Sequence, residues 1–120
     1  MQFMILALED DDDFAARDDP GRSGDYWNAW SGYIAALTDS GVLTGAGGLQ
    51  PPHAATTLTV RNGERHLQDG PYADTKEQLG GYFVIDVPDL DEALTWAALC
   101  PSAESASVEV RPLLPASPAM

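Results

Sequence analysis

Side chains that can transfer protons lie on both sides of an Asp-Gly-Pro turn. His66 lies three residues before Asp69, and Tyr72 follows the turn. An imidazole beside a carboxylate can provide general acid–base catalysis at neutral pH. We therefore predict a catalytic set of these three residues, with Asp69 as base or orienting group and His66 or Tyr72 as acid. The structural alternative is that Asp69 caps backbone amides of the turn and His66 lies exposed on a hairpin strand.

Other aromatic and basic side chains are candidates for binding a small molecule. Trp27 and Trp30 are spaced to share one helix face, where they could form a stacking wall for an aromatic ligand, although core or interface packing explains the same pattern. Lys76, the only lysine, could bind an anion or pair with a neighbouring carboxylate. Arg61 and Gly81 complete the predicted substrate-binding set.

The chain has no motif for a cofactor or a metal. It contains no dinucleotide or phosphate-loop glycine pattern, no paired His or Cys at metal-ligand spacing, and no nucleophile elbow. The acidic run from Glu9 to Asp13 is interpreted as a solvated loop, because adjacent carboxylates without a spacing pattern rarely converge on one ion. The predicted cofactor and metal complement is therefore none.

Composition limits the class of partner and the compartment. The 120 residues predict one domain, residues 1–112, followed by a tail, residues 113–120. A net charge of −13 argues against nucleic acid and anionic membranes as partners. A single cysteine, Cys100, rules out an internal disulfide and is expected to be a buried thiol. With no signal peptide and no membrane-spanning apolar run in the sequence, we expect a cytoplasmic protein.

Hydrophobic periodicity predicts alternating strands and helices. Short apolar runs rich in β-branched and aromatic residues predict strands, and three-and-four spacing predicts helices. Without an inserted hairpin, the predicted order is the βαββαβ order of ferredoxin-like α+β folds. The predicted elements are strand Phe3–Leu8, helix Asp25–Ser40, strand Val42–Leu49, the hairpin Thr56–Arg61 with Glu64–Gln68, strand Tyr82–Val87, a helix capped by Asp89, and strand Ser107–Pro112.

Two further predictions concern helices. Thr75–Gln78 fits a capping box, and the pair Gly80–Gly81 could end that helical turn with a left-handed residue. In the helix after Asp89, three-and-four spacing predicts one apolar face. The residues of that face are Leu90, Ala93, Leu94, Ala97 and Ala98.

The central strands are apolar on both faces. In the first strand, Phe3, Ile5 and Ala7 alternate with Met4, Leu6 and Leu8. Two helices cover only one face of a four-stranded sheet, and soluble monomers avoid a large exposed apolar face. We therefore predict a homodimer in which the uncovered sheet faces pack together.

The run DGPYADTKEQLGGYFVIDVPDLDEA, residues 69–93, resembles the signature of the YCII-related family, in the branch often called DGPF-domain proteins. The similarity runs from about Phe3 to Pro112. Two residues depart from the usual pattern: Tyr72 stands where Phe is common, and Asp74 where Glu is common.

This resemblance implies a dimeric α+β barrel and makes the turn at Asp69 a family hallmark. Members of the family are suspected enzymes, and some relatives are implicated in cofactor-free acid–base reactions on small ring compounds, such as elimination of HCl, with a His and an Asp. The DGPF branch departs from the position of that His. DGPF-type proteins are also associated with sigma factors of the extracytoplasmic-function type, which implies a regulatory or ligand-sensing role.

Two functions from different classes follow. The first is a cofactor-independent enzyme of the acid–base isomerase, lyase or dehydrochlorinase type, acting on a small metabolite such as an aromatic one. The alternative is a non-catalytic dimeric module that binds a small molecule or regulates a partner. Asp69→Asn should abolish turnover in the first case, and should only weaken binding or have no effect in the second.

Overall fold

A computed structural model describes residues 1–71, 73 and 75–115. The predicted site residue Tyr72, its neighbour Asp74 and the last five residues of the predicted tail lie outside this range. Within the described residues, no helix is long and apolar enough to cross a membrane. The elements are β1 Gln2–Glu9, α1 Asp11–Ala16, α2 Ser23–Ser40, β2 Leu43–Gly48, a 3-10 turn Pro52–Ala54, β3 Thr56–Arg61, β4 Glu64–Asp69, β5 Gln78–Asp86, α3 Leu90–Ala98, α4 Ser102–Ser105 and β6 Ser107–Pro112.

Four strands form an antiparallel sheet in the order β2-β5-β1-β6. At its centre, Ile5 of β1 lies opposite Phe83 of β5 on one side and Val110 of β6 on the other. Strands β1 and β5 lie in the middle because they are the most apolar segments. This arrangement confirms the ferredoxin-like α+β prediction.

The core lies between this sheet and the helices α2 and α3. Cys100 is buried in it as a free thiol. The core residues share low exposure and come from β1, from β5 and the residue after it, from α2, and from α3 and the turn after it. They are Phe3, Ile5, Ala7, Tyr33, Leu37, Phe83, Ile85, Val87, Ala93, Ala97 and Cys100.

The opposite face of the sheet carries the alternate side chains of the central strands. Leu6 lies opposite Tyr82 of β5, and Met4 lies opposite Val84. These four side chains and Leu8 are half-buried. The core helices pack on the other side of the sheet, so this face is open in the single chain. Its side chains are apolar, as the sequence predicts.

The acidic run is not a loop, which corrects the sequence prediction. Glu9 ends β1 and is 2% exposed. Asp10 then caps α1 in a reciprocal capping box: its carboxylate accepts a hydrogen bond from the Asp13 amide at 2.8 Å, and the Asp13 carboxylate accepts one from the Asp10 amide at 3.1 Å. Carboxylates at a helix N-terminus also interact favourably with the helix dipole. The acidic run therefore begins a helix.

The segment before the glycine pair is not helical either. Gln78 begins β5, and the pair Gly80–Gly81 continues this strand. The prediction of a helical turn was wrong because long-range pairing with β1 outweighs a weak local capping pattern. Gly41, in contrast, ends α2 in the left-handed region with a φ of 82°.

Helix α3 turns its small residues toward the sheet. Asp89 caps it as predicted, accepting a hydrogen bond from the Glu92 amide at 2.9 Å. Ala93 and Ala97 are buried, whereas Leu90 and Leu94 are 49% and 48% exposed. Ala98 is exposed as well, so only two of the five residues of the predicted apolar face are buried.

Strands β3 and β4 form a separate two-stranded sheet, the predicted hairpin. Its turn has positive φ at both central residues, 51° at Asn62 and 79° at Gly63. That is the pattern of a type I′ turn, whose twist matches the flanking strands.

Candidate functional site

A cavity of about 610 Å³ lies between α2 and the β2 side of the sheet. This volume is in the range of sites for small organic molecules. The residues that line it come from β1, the segment after α1, α2, β2 and β5. They include Glu9, Arg17, Tyr26, Trp27, Trp30, Ile34, Gly47, Leu49, Gly80, Gly81 and Phe83.

Aromatic rings form one wall of the cavity. Trp30 stacks on Phe83 with ring centroids 6.0 Å apart and an interplanar angle of 10°. Tyr26 and Trp27 meet edge to face at 4.8 Å. Trp27 is 48% exposed and Ile34 is 41% exposed. Flat, apolar walls with one accessible indole suit a small ring better than an extended chain.

The inner end of the cavity is polar. Arg17 Nη2 donates to Glu9 Oε1 at 2.7 Å, and the side chains of these two residues are only 10% and 2% exposed. The Tyr26 hydroxyl donates to Glu9 Oε2 and accepts from Arg17 Nε at 3.0 Å. These three side chains form a closed hydrogen-bonded array, called here the Glu9–Arg17–Tyr26 array.

Several contacts fix the guanidinium of Arg17 in place. Arg17 donates to the Leu49 carbonyl, and also to the Gly80 carbonyl at 3.2 Å. The ring of Phe14 lies 4.9 Å from the guanidinium carbon, a cation–π distance. Trp27 Nε1 donates to the Arg17 carbonyl at 3.1 Å. The array is therefore held by contacts from α1, α2, β5 and the residue after β2.

Protonation in the array follows from burial and pairing. Burial, and then the hydrogen bond to Glu9, raise the pKa of Tyr26 well above that of a free phenol. Burial alone would lower the pKa of Arg17, but its hydrogen bonds to Glu9 and Tyr26 raise it overall. At neutral pH Tyr26 is therefore protonated and donates its hydrogen bond to Glu9.

The glycine pair of β5 makes room for this carboxylate. A Cβ atom at Gly80 would lie 2.8 Å from Glu9 Cδ, closer than such atoms approach. A Cβ at Gly81 would lie 3.2 Å from the Gly47 carbonyl oxygen of the adjacent strand. A side chain at Gly80 would therefore displace the Glu9 carboxyl group, and one at Gly81 would pack tightly against the backbone of β2.

The structure divides the predicted site residues into two groups. Trp27, Trp30 and Gly81 line the cavity. The others that the structure describes do not line it and are exposed: His66 and Asp69 on β4, Arg61 on β3, and Lys76 just before β5.

His66 and Asp69 are close in sequence but lie on opposite faces of β4. Side chains alternate along a strand, and these residues are three positions apart. His66 lies opposite Thr59, whereas Asp69 lies opposite Thr56. The turn after Asp69 is held by the Gly70 amide, which donates to the Ala55 carbonyl at 2.7 Å.

Sequence reasoning missed the Glu9–Arg17–Tyr26 array. One available signal was the phase of Glu9, which continues the alternation of Phe3, Ile5 and Ala7 on the buried face of β1. A carboxylate in phase with a core needs a cation or several donors. In the described part of the chain, no three His, Cys, Asp or Glu side chains are grouped as a metal site would require.

The fold and the cavity define an α+β protein of ferredoxin-like topology with a site of small-molecule size. The family model of the YCII-related domain matches residues 1–117 of this sequence. The chain therefore belongs to the YCII-related family.

Two similar proteins extend this comparison. An uncharacterized protein, R00369, of Rhizobium meliloti (strain 1021) is 46% identical over 77 residues, which are 62% of this chain and 62% of that protein. The matched region thus spans less than two thirds of that relative's length. The solved structure of 5-chloro-2-hydroxyhydroquinone dehydrochlorinase (TftG) from Burkholderia phenoliruptrix AC1100, in complex with 2,5-dihydroxybenzoquinone, aligns with a TM-score of 0.54. It is 17% identical and covers 95% of this chain and 94% of its own, a likeness of fold alone.

Proposed function

We propose that this protein is a cofactor-independent enzyme that binds a small ring compound in the cavity and transfers a proton through Glu9. The observation that carries the proposal is a buried carboxylate, 2% exposed, at the polar end of a cavity with aromatic walls. A positioned, buried carboxylate beside a cavity is suited to general acid–base work.

The roles within the array follow from its hydrogen bonds. Glu9 accepts a proton from a hydroxyl or an acidic carbon of the bound ring. Tyr26 and Arg17 hold the carboxylate in one orientation, and the Arg17 guanidinium stabilises negative charge that develops nearby. Trp30, which is held by stacking on the buried ring of Phe83, provides the surface on which the ligand ring stacks.

Isomerisation, elimination and dehydrochlorination all begin with such a proton transfer. TftG, a dehydrochlorinase of the same fold, is an analogy for this class of reaction. Because one fold hosts many chemistries, the proposal is supported by the cavity and its side chains and not by the fold. The catalytic roles predicted for Asp69, His66 and Tyr72 stay predictions, and the assay below includes variants of the first two.

A second candidate is a binding module without catalysis, including the regulatory role linked to a sigma factor. It is favoured by the completeness of the array, because Glu9, Arg17 and Tyr26 satisfy one another. Among the described residues, no buried side-chain nitrogen or oxygen lacks a hydrogen-bond partner. A carboxylate that is already fully paired is less free to take a proton from a ligand.

We also propose that the functional unit is a homodimer that packs the open sheet faces together. The side chains Met4, Leu6 and Val84 are central to that face and are only half-buried in one chain. A two-fold contact would remove them from water.

The test uses a panel of hydroxylated benzenes together with 2,5-dihydroxybenzoquinone. Isothermal titration calorimetry measures binding, and nuclear magnetic resonance in deuterated water measures exchange of ring hydrogens with solvent. Exchange at ring carbons reports proton transfer without requiring the natural substrate. The variants are Glu9→Gln at the cavity, Trp30→Ala at its wall, and His66→Ala and Asp69→Asn on the hairpin.

The proposal expects that Trp30→Ala weakens binding and that Glu9→Gln retains binding but loses catalysed exchange. His66→Ala and Asp69→Asn should keep both. Binding without exchange in the wild type would support the binding module, and no binding by any member of the panel would contradict the proposed enzyme for small ring compounds. Loss of exchange in Asp69→Asn alone would instead support the catalytic set predicted around the turn.

A further inference from the structure

The charged side chains that line the cavity do not balance one another. They are two carboxylates and one guanidinium, those of Glu9, Asp18 and Arg17. Arg17 pairs with Glu9 at 2.7 Å, so these two charges cancel. The Asp18 carboxylate forms no ion pair with any residue that the structure describes. One uncompensated negative charge therefore remains in the wall of the cavity.

Asp18 lies at the open end of the cavity, beside Trp27. It is exposed, whereas Glu9 at the inner end is buried. Trp27 Nε1 donates to the backbone carbonyl of Arg17 at 3.1 Å. Because Asp18 directly follows Arg17 in the chain, this hydrogen bond holds the indole next to Asp18. An aromatic ring and an unpaired carboxylate thus lie together where a ligand enters.

The cavity offers no free cation to an anionic ligand. Arg17 is already paired with Glu9 and also donates to Tyr26, Leu49 and Gly80. The other basic residues of the chain do not line the cavity; they are Arg22, Arg61, Arg65, Lys76 and Arg111. The net charge of −13 has the same sign as the unpaired carboxylate. The electrostatic field at the open end therefore repels anions and attracts cations.

Aromatic rings beside a carboxylate are the groups that recognise an organic ammonium ion. The face of an indole attracts a cation through its quadrupole, and a carboxylate accepts charge-assisted hydrogen bonds from the ammonium group. Trp27 is 48% exposed, so its ring is accessible to a ligand. A protonated amine therefore fits the open end of the cavity, while an aromatic ring fits the apolar wall further in.

We propose that the ligand is a ring compound with a protonated amine on a short side chain, its ring against Trp30 and its ammonium group between Trp27 and Asp18. Asp18 is then the residue that selects cationic over neutral ring compounds, and the same charge excludes ring compounds that carry a carboxylate. The assignment rests on the proposed function in that the cavity binds a small ring compound, and it does not depend on proton transfer by Glu9.

The test uses three probes that have similar shapes and different charges. They are the cationic 4-(2-aminoethyl)phenol, the neutral 4-propylphenol and the anionic 4-hydroxyphenylacetate. Isothermal titration calorimetry measures their dissociation constants with the wild type, Asp18→Asn and Asp39→Asn. Asp39 is exposed on α2 and does not line the cavity, so Asp39→Asn removes the same charge from the chain and leaves the site unchanged.

In the wild type, we expect the amine to bind about fivefold or more tightly than the neutral probe, and the anion to bind more weakly than both. Asp18→Asn should reduce the preference for the amine by about threefold or more and leave the affinity for 4-propylphenol unchanged, whereas Asp39→Asn should keep the preference.

Equal loss of the preference in Asp18→Asn and Asp39→Asn would overturn the assignment of Asp18. If the neutral probe binds as tightly as the amine in the wild type, the inference fails while the proposed function stands. If none of the three probes binds, the inference fails as well, and the panel of hydroxylated benzenes then decides the proposed function.

Discussion

Glu9 shows how one side chain can reveal a site. It lies in phase with the core residues of β1, and the fold tolerates it there because Arg17 and Tyr26 satisfy both carboxylate oxygens. A paired buried charge is seldom more stabilising than an apolar side chain of similar size. Its presence in the wall of a cavity therefore favours a functional role over a purely structural one.

Removing one partner of the buried ion pair should lower the free energy of unfolding much more than removing one partner of an exposed ion pair. Arg17→Met leaves Glu9 without its cation, and we expect a loss of about 3 kcal/mol or more in the free energy of unfolding. Arg22→Met is the matched control, because its pair with Asp12 has side chains that are 44% and 83% exposed. Urea denaturation should show the large loss only for Arg17→Met. Equal midpoints for the two variants would show that the array is not a buried unit.

Alkaline pH should destabilise the protein through groups whose pKa is raised in the folded state. Burial is the main cause of the raised pKa of Tyr26, Tyr33 and Cys100. The unfolded chain releases these protons near the ordinary values of 10.0 for tyrosine and 9.0 for cysteine, while the folded chain retains them. The stability they contribute is complete below those values and decreases as the pH rises above them.

Thermal melting between about pH 8 and pH 11 measures this effect. We expect the melting temperature to fall across that interval, and to fall less steeply in Tyr26→Phe, which has no phenol to ionise. A melting temperature that stays constant, or an identical slope in the variant, would show that Tyr26 does not hold its proton more tightly in the folded state.

In strand β5, contacts with distant residues override the local conformational preference of the sequence. The Thr75–Gln78 run has a capping pattern, yet Gln78 joins the sheet, since pairing with β1 and space for Glu9 both require the extended glycine pair. Apolar patterns predicted β1, β5, α2 and α3, and the Asn-Gly turn signal predicted the hairpin of β3 and β4. These patterns could not predict α1, whose helix depends on carboxylates that resemble a solvated loop.

Gly80→Ala tests whether β5 is shaped around Glu9. The new Cβ would displace the carboxyl group, so we expect a loss of about 1–3 kcal/mol in the free energy of unfolding. Gly48→Ala in β2 is the control, because no heavy atom lies within 4 Å of its Cβ position. Chemical denaturation of both variants compares them. If Gly80→Ala is as stable as Gly48→Ala, the glycine is not required by Glu9.

The candidate site is assembled from segments that are distant in sequence. This distance limits how much of the site can be predicted from the sequence. The sequence predicted that Trp27 and Trp30 share one helix face because their spacing is a local pattern. The array joins β1, α1 and α2 beside β5, and nothing local to Arg17 indicates where it lies. His66 and Asp69 are near each other in sequence, but strand alternation places them on opposite faces of β4.

The open sheet face gives a prediction about assembly. Leu6→Glu puts a charge in the centre of that face, and we expect the dimer dissociation constant to rise by about tenfold or more, because the charge would be buried in the contact. Leu94→Glu is the matched control on the outer side of α3, where Leu94 is 48% exposed. Analytical ultracentrifugation should show weakening only for Leu6→Glu. Equal association of both variants would exclude this face as the interface.

The most direct measurement for the proposed site is exchange of ring hydrogens in the aromatic probe panel, catalysed by wild type, Glu9→Gln and His66→Ala at equal fractions of bound probe. We predict that Glu9→Gln loses at least about a hundredfold of the catalysed rate, the size expected for removal of a general base, while His66→Ala keeps it. A Glu9→Gln protein that binds the probe and exchanges it at the wild-type rate would contradict the assignment of Glu9 as the proton acceptor.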